Sequence, residues 1–251
     1  MTDVLVLCYH ALSRTWPATL STTPERFSEQ VRLLVDRGYR ATTFERAVVA
    51  PEASRTLAIT FDDAYRSVFE LAFPVLRELG VPATVFVPTA FAGSDAPMSW
   101  PGIDQWLGGD HESELRCMSW EQLGELTEAG WEIGSHTHTH PRLPELPDDA
   151  LAAELARSRE ICAERLGRPC RSLAYPYGAH DERVLAAASA AGYSAAGTLP
   201  AAFHAPERLR WPRVGVYHAD DRLRFRLKCS PALRRLRASR IWEPLTSIRG
   251  A

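Results

Sequence analysis

Long apolar runs, CxxC cysteine pairs, internal repeats and a large net charge are all missing from this 251-residue sequence. Without an apolar stretch of about 20 residues there is no candidate membrane span. Residues 1–10, with Asp3 near the start and only a short apolar run, do not read as a signal peptide. The five cysteines, Cys8, Cys117, Cys162, Cys170 and Cys229, are odd in number and lack metal-site spacing, which predicts free thiols in a reducing compartment and a cytoplasmic protein. A formal charge of -2 excludes the strongly basic balance of a nucleic-acid binder. Lysine is nearly absent: Lys228 is the only one, and every other basic residue apart from histidine is arginine. What remains is an ordinary globular composition, 45% hydrophobic and 24% charged, which excludes disorder, collagen-like repeats and coiled coils. A single domain of about 250 residues is a common size for an α/β barrel.

The near-neutral total hides an asymmetry. Residues 205–251 hold 12 Lys+Arg against 4 Asp+Glu, a surplus of +8, so the first 204 residues carry -10. From Arg222 to Arg240, eight basic residues are interleaved with Leu223, Phe225, Leu227, Leu233 and Leu236, and no acidic residue intervenes. The pattern predicts a basic amphipathic extension over residues 221–251 after a main domain over residues 1–220. Two readings stay open: a terminal helix pair packed on the acidic barrel, or peripheral attachment to an anionic membrane, where each basic residue adds about 1 kcal/mol.

Apolar runs of strand length alternate with segments of helical period, which predicts βα units around a mainly parallel sheet. Strands are expected at 4–9, 56–61, 83–87, 131–135 and 172–175, with shorter ones near Ala195 and Val214. Helices are expected at 24–37, where Phe27, Val31, Leu34 and Val35 share a face and Gly38 ends the run, and at 66–79, 120–129, 147–166 and 181–191. Pro74 should kink or break the second of these. Residues 91–117, rich in Gly, Pro, Ser and Asp and carrying Trp100 and Trp106, make a connection long enough to act as a lid or binding wall.

Polar residues collect where the strands end. Thr60-Phe61-Asp62-Asp63 sets two adjacent carboxylates at a strand terminus, where the turning chain lets both face one site; one can hold a metal while the other acts as a base. For that pair alone, a turn with a helix N-cap is the simpler explanation. The segment from Gly134 to His140 places three of the eight histidines within five residues. Imidazole is a good zinc ligand, and a four-residue spacing brings His136 and His140 together while His138 points away. Leu173-Ala174-Tyr175-Pro176-Tyr177-Gly178 ends another strand, and His10 follows the first. In βα barrels catalytic groups come from the C-terminal ends of several strands, and here four strand ends supply such groups.

These segments, from Tyr9-His10 through TFDD and SHTHTH to AYPYG, resemble the polysaccharide deacetylase family, also called the NodB-homology domain or carbohydrate esterase family 4, over roughly residues 4–216. The resemblance implies an α/β fold: a distorted (β/α) barrel of about seven parallel strands. It also implies a metal-dependent hydrolase that removes N-acetyl groups from an acetamido sugar or polysaccharide and releases acetate. Asp63, His136 and His140 become the ligands of a divalent metal, zinc foremost with cobalt or nickel as alternatives, and Asp62 becomes the general base. Three protein ligands leave positions for water and the amide carbonyl. The backbone N–H of Tyr177 would face the developing oxyanion, a donor of the kind worth roughly 3 kcal/mol.

Two positions depart from the family's common pattern. No C-terminal LxxH-like segment supplies a general acid, so the resemblance to a poly-N-acetylglucosamine subgroup with the same YH and AYPYG gives that role to His10, with His204 and His218 as lesser candidates. Ala174 stands where many members carry an arginine that orients the base, which leaves Arg213 to fill the gap from another strand. Pro176 and Trp100 are expected at the substrate. The implied partner is an N-acetylated carbohydrate, with no nucleic acid. A deformylase or other amide hydrolase acting on a lipid-linked aminosugar would use the same residues. A non-catalytic carbohydrate-binding module is a third reading, disfavoured by retention of both carboxylates and both histidines.

Overall fold

The computed structural model describes residues 2–199 and 205–237. In chain order its strands are β1 (Asp3–Tyr9), β2 (Ala11–Leu12), β3 (Ser21–Thr22), β4 (Arg40–Thr42), β5 (Arg55–Phe61), β6 (Thr84–Val87), β7 (Glu132–Ser135), β8 (Ser172–Ala174), β9 (Ala195–Thr198), β10 (Trp211–Pro212) and β11 (Val214–Gly215). Its helices are α1 (Pro24–Asp36), α2 (Phe44–Val49), α3 (Phe73–Leu79), α4 (Trp120–Glu128), α5 (Asp148–Leu166), α6 (Glu182–Ala190), α7 (Arg222–Lys228) and α8 (Pro231–Arg237). Strands are hydrogen-bonded in the order β10-β9-β8-β7-β6-β5-β1-β11. Every pairing in this path is parallel. Off the path, β4 pairs with the first half of β5. The two ends of the ladder, β10 and β11, flank a single residue, Arg213, so the eight-strand path returns on itself and nearly closes into a barrel.

Side-chain alternation sorts the strands into two layers of packing. Leu5, Leu7, Leu57, Ile59, Val85 and Leu173 join the large core shared with the helices. Val6, Ala58, Phe86, Ala174 and Ala195 form a second cluster inside the barrel, where Phe44, Ala47 and Val48 of α2 pack against them. Small residues dominate that interior, and the volume they leave is taken by a charged side chain. Arg213 is 1% exposed, and its guanidinium lies 5.4 Å from the centroid of Phe86. A Cβ on Gly197 would stand 2.6 Å from Arg213 Nε, so this strand position must be glycine for the guanidinium to fit.

Most of the expected elements appear within a residue or two of their predicted ends. The exception among the helices is 66–79, which is a π-turn over Val68–Ala72 followed by α3, with Pro74 in the first turn of α3. Proline lacks the N–H an α-ladder would need, and the wide turn before it absorbs the break. β4 and α2 had no sequence prediction; at three and six residues they are too short to show a period. The described part of the basic segment forms α7 and α8, and its Phe225 and Cys229 belong to the main core. Arg234 of α8 pairs with Asp3 at 2.6 Å, and Lys228 of α7 pairs with Asp220 at 2.5 Å. Residues 238–251 lie outside the described residues. Among the described helices none is long and apolar enough to cross a membrane.

Replacing Gly197 with alanine forces Arg213 from its seat and should destabilise the fold by about 1–3 kcal/mol, as other overpacked interiors are. Urea unfolding measures this; a wild-type midpoint and slope would show that the guanidinium has other room.

Candidate active site

Among the described residues, five non-glycine positions have positive φ: Asp63 (66°), Ala64 (50°), Thr137 (68°), His140 (63°) and Tyr177 (59°). All five lie in the segments that follow β5, β7 and β8. Left-handed backbone costs such residues of order 1 kcal/mol or more each, and it persists where surrounding contacts over-determine it. Three of the five, Asp63, His140 and Tyr177, line a common cavity of about 620 Å³ at the C-terminal end of the barrel. His10, Asp62, Asp63, His136, His140 and Tyr177 line the cavity. Trp100 and Ile103 from the long connection after β6, with Leu20 and Tyr217, form its walls.

Asp63 is the centre of one group. His136 Nε2 and His140 Nε2 each lie 3.3 Å from Asp63 Oδ1, and all three residues are buried. His136 Nδ1 lies 2.8 Å from the Ala174 carbonyl oxygen, which can only accept, so Nδ1 carries the proton and a neutral His136 presents the bare lone pair of Nε2. A lone pair and a carboxylate oxygen facing one another at 3.3 Å, with Asp63 Oδ1 lacking a hydrogen-bond partner among the described residues, call for a cation. One carboxylate and two imidazoles match the borderline character of zinc, so the residues fit a divalent metal. Burial opposes ionisation of Asp63, but the neighbouring His136 and His140 outweigh it and hold the carboxyl below its ordinary range. Burial lowers the imidazole of His140. It also acts on His136, where Asp62 and Asp63 overcome it and the net shift is upward.

Asp62 belongs to a second group. Arg213 donates to both its oxygens, Nη1 to Oδ1 at 2.6 Å and Nη2 to Oδ2 at 2.8 Å, and Nη1 also reaches Thr60 Oγ1 at 3.1 Å. The Cys8 thiol donates to Oδ2 at 3.3 Å. Burial raises the Asp62 carboxyl, yet the charge of Arg213 prevails and brings it down to about 2. Burial pushes the Cys8 thiol well up, so it remains a neutral donor. Cys8, His10 and Asp62 also lie close enough to share an ion. That group already holds its cation in Arg213, and a protonated thiol is a poor ligand.

His10 is buried, and its Nδ1 has no hydrogen-bond partner among the described residues. Burial lowers its imidazole pKa against the pull of Asp63 and Asp62. Tyr177 sets its ring at 64° to His140, 4.9 Å between centroids, and Arg142 lies 4.4 Å over the Tyr177 ring. Trp100 stacks on His140 at 4.0 Å and 23°, so one of its faces is committed to that imidazole. Pro176, expected at the substrate, is buried and does not line the cavity; the tight turn over Pro176–Gly178 presents Tyr177 there instead. His138 bonds Thr89 Oγ1 at 2.9 Å and stands apart from the Asp63 group. His218 lies 3.3 Å from Ser21 Oγ and does not line the cavity, and His204 is outside the described residues. Sequence reasoning missed Cys8, Arg142 and Tyr217. Cys8 shares the inward parity of Val6, which strand alternation alone could have exposed.

An α/β barrel with a buried Asp-His-His cluster beside an arginine-held carboxylate defines a class of protein. The chain belongs to the polysaccharide deacetylase family, whose model matches residues 50–196. YxkH of Bacillus subtilis (strain 168) is 27% identical over 193 residues, 75% of this chain and 61% of that protein. The poly-beta-1,6-N-acetyl-D-glucosamine N-deacetylase of Staphylococcus epidermidis is 25% identical over 180 residues, 66% of this chain and 57% of that protein. The chain therefore spans less than two thirds of the length of these curated relatives. Among solved structures, Streptococcus pyogenes deacetylase PplD in complex with acetate matches with a TM-score of 0.74 at 22% identity, over 92% of this chain and 99% of that one. IcaB from Ammonifex degensii matches with a TM-score of 0.73 at 24% identity, over 93% and 98%. At these identities the two structures establish the fold.

A carboxyl with a depressed pKa stabilises the native state above its unfolded value and loses that contribution as pH falls through its folded value. For Asp62 the window runs from 3.8 down to about 2. The stability gap between wild type and Asp62→Asn should be full above that window and narrow as pH falls through it. Urea titrations at several pH values measure the gap, and a constant gap would contradict the ion pair.

Proposed function

We propose that this protein is a metal-dependent N-deacetylase of acetamido glycans, with a polymer of N-acetylglucosamine as its substrate class. The observation that carries the proposal is the convergence of Asp63, His136 and His140 on one point beside the Asp62–Arg213 pair. The S. epidermidis relative, named for action on poly-beta-1,6-N-acetyl-D-glucosamine, supports the substrate. Asp63, His136 and His140 would hold the metal, which supplies Lewis acidity toward water and the acetamide carbonyl.

The protein's own groups do the rest. Asp62, kept ionised and oriented by Arg213, takes the proton of the attacking water. The backbone N–H of Tyr177 faces the oxyanion that develops on the carbonyl. His10 delivers a proton to the departing sugar amine, and the products are acetate and the free amine. Leu20, Ile103, Tyr177 and Tyr217 offer the apolar walls on which a sugar face can rest.

Wild type loaded with zinc or cobalt should release acetate from N-acetylglucosamine oligomers, lose the activity to a chelator and regain it with metal. His10→Ala should lower kcat by about 100-fold or more with metal content unchanged. Loss of metal in that variant would make His10 a ligand. No acetate from the metal-loaded protein would refute the reading, and formate released from formylated oligomers alone would replace it with a deformylase.

The basic helices support a further part of this proposal: peripheral docking on an anionic membrane near the glycan. Leu223 and Leu227 are 65% and 49% exposed on α7, next to the exposed Arg222, Arg224 and Arg226. Apolar side chains flanked by arginine suit the boundary of an anionic bilayer. Wild type should co-sediment with vesicles rich in phosphatidylglycerol and not with phosphatidylcholine alone, and Leu223→Asp with Leu227→Asp should abolish this. Equal sedimentation of wild type and the double variant would refute the docking.

A further inference from the structure

The two histidines of the candidate metal centre sit at the ends of one short loop whose conformation is unfavourable by itself. Thr137 and His140 have φ of 68° and 63°. Internal hydrogen bonds brace the ends: Thr137 N–H donates to Ser135 Oγ at 3.0 Å, and His140 N–H donates to Thr137 Oγ1 at 3.1 Å. The middle of the loop is held from outside. Glu154, on the second turn of α5, receives the backbone N–H of His138 at 2.8 Å and that of Thr139 at 2.9 Å, both on Oε2. Its other oxygen, Oε1, receives the Thr139 hydroxyl at 2.7 Å.

Two successive N–H groups following a left-handed residue make a concavity that suits an anion. Three charge-assisted bonds from one carboxylate are stronger than three bonds to a neutral group. Glu154 touches neither imidazole, and its carboxylate is directed to the backbone between them.

We propose that Glu154 is a positioning residue for the metal centre, fixing the loop so that His136 and His140 present Nε2 to Asp63 before any ion arrives. Preorganisation of this kind sets affinity, because the ion then need not order the loop. The inference rests on the reading of Asp63, His136 and His140 as metal ligands. The two fail differently: if wild type binds no zinc, that reading falls, whereas if wild type binds zinc and Glu154→Ala matches it, only the role of Glu154 falls.

The experiment measures zinc affinity of the full chain by competition with a chromophoric chelator, together with amide hydrogen exchange of the metal-free protein. Alanine is the best helix former, so Glu154→Ala leaves α5 intact. It should weaken zinc binding by about tenfold or more, within the range seen when groups that support metal ligands are removed. The amides of His138 and Thr139 should lose protection while those of α5 keep it. Glu154→Gln keeps an acceptor for both amides and turns its own N–H toward Thr139 Oγ1, so its affinity should return to within about threefold of wild type, since the geometry is kept and only the charge is lost. Glu160→Ala, an exposed change on the same helix, should leave both readouts unchanged. Wild-type zinc affinity in Glu154→Ala overturns the proposal. If Glu154→Ala fails to fold, Glu154→Met decides, since it keeps the bulk of the side chain and a good helix former without an acceptor for the two amides: zinc binding about tenfold weaker or worse supports the proposal, and wild-type affinity overturns it.

Discussion

A buried guanidinium requires a fixed anion, and in this barrel the anion is the carboxylate that faces the cavity. Removing Arg213 and Asp62 from water costs several kcal/mol per ion, and only good geometry with further hydrogen bonds offsets that cost. The pair has both: two nearly parallel bonds at 2.6 and 2.8 Å, a third bond to Thr60 and the face of Phe86 against the charge. Much of the architecture follows from this contact. Arg213 is the one residue between β10 and β11, so the link that brings the two ends of the sheet together also delivers the guanidinium to the interior. Gly197 leaves it room that a Cβ would close.

The same contact separates two neighbours that would otherwise titrate alike. Asp62 and Asp63 are consecutive and both buried, and two like charges so placed disfavour each other's ionisation. The fold assigns each a different counter-charge. Asp62 is neutralised by an arginine that cannot leave or lose its proton, so it stays an oriented carboxylate. Asp63 is left to two imidazoles and, in the proposed enzyme, to an exchangeable cation. In the proposed enzyme, these different environments on adjacent residues let one carboxylate act as a ligand and the other as a base. The left-handed backbone of Asp63 and Ala64 is the local means, because it turns the second carboxylate away from the first at the strand end.

What could be read from the sequence was whatever is local. The strand ends at Asp62-Asp63 and at His136 and His140 announce themselves because apolar period and polar cluster meet within a few residues. The Arg213–Asp62 pair spans 151 residues, and only the resemblance, through the missing arginine at Ala174, pointed to it. Glu154 was invisible for a different reason: on a helix with three glutamates, nothing in the pattern says which one meets a loop 15 residues away. Pro176 and Tyr177 show the limit at single-residue scale. The turn was legible, but which of the two side chains enters the cavity depends on a φ of 59° at Tyr177 that no propensity predicts for tyrosine.

Ala174 is better understood as the complement of Arg213 than as a lost catalytic group. Its methyl sits in the barrel interior beside Phe86, and its strand partner is Gly197, whose absent side chain makes room for Arg213. An arginine at 174 would bring a second guanidinium into the same small space, toward a carboxylate already bonded on both oxygens. The backbone of Ala174 meanwhile keeps its own task, accepting Nδ1–H of His136 and so fixing which nitrogen faces Asp63. In this chain the guanidinium reaches Asp62 from the link between β10 and β11 and not from β8. Ala174 and Gly197, paired across β8 and β9, are small where it passes.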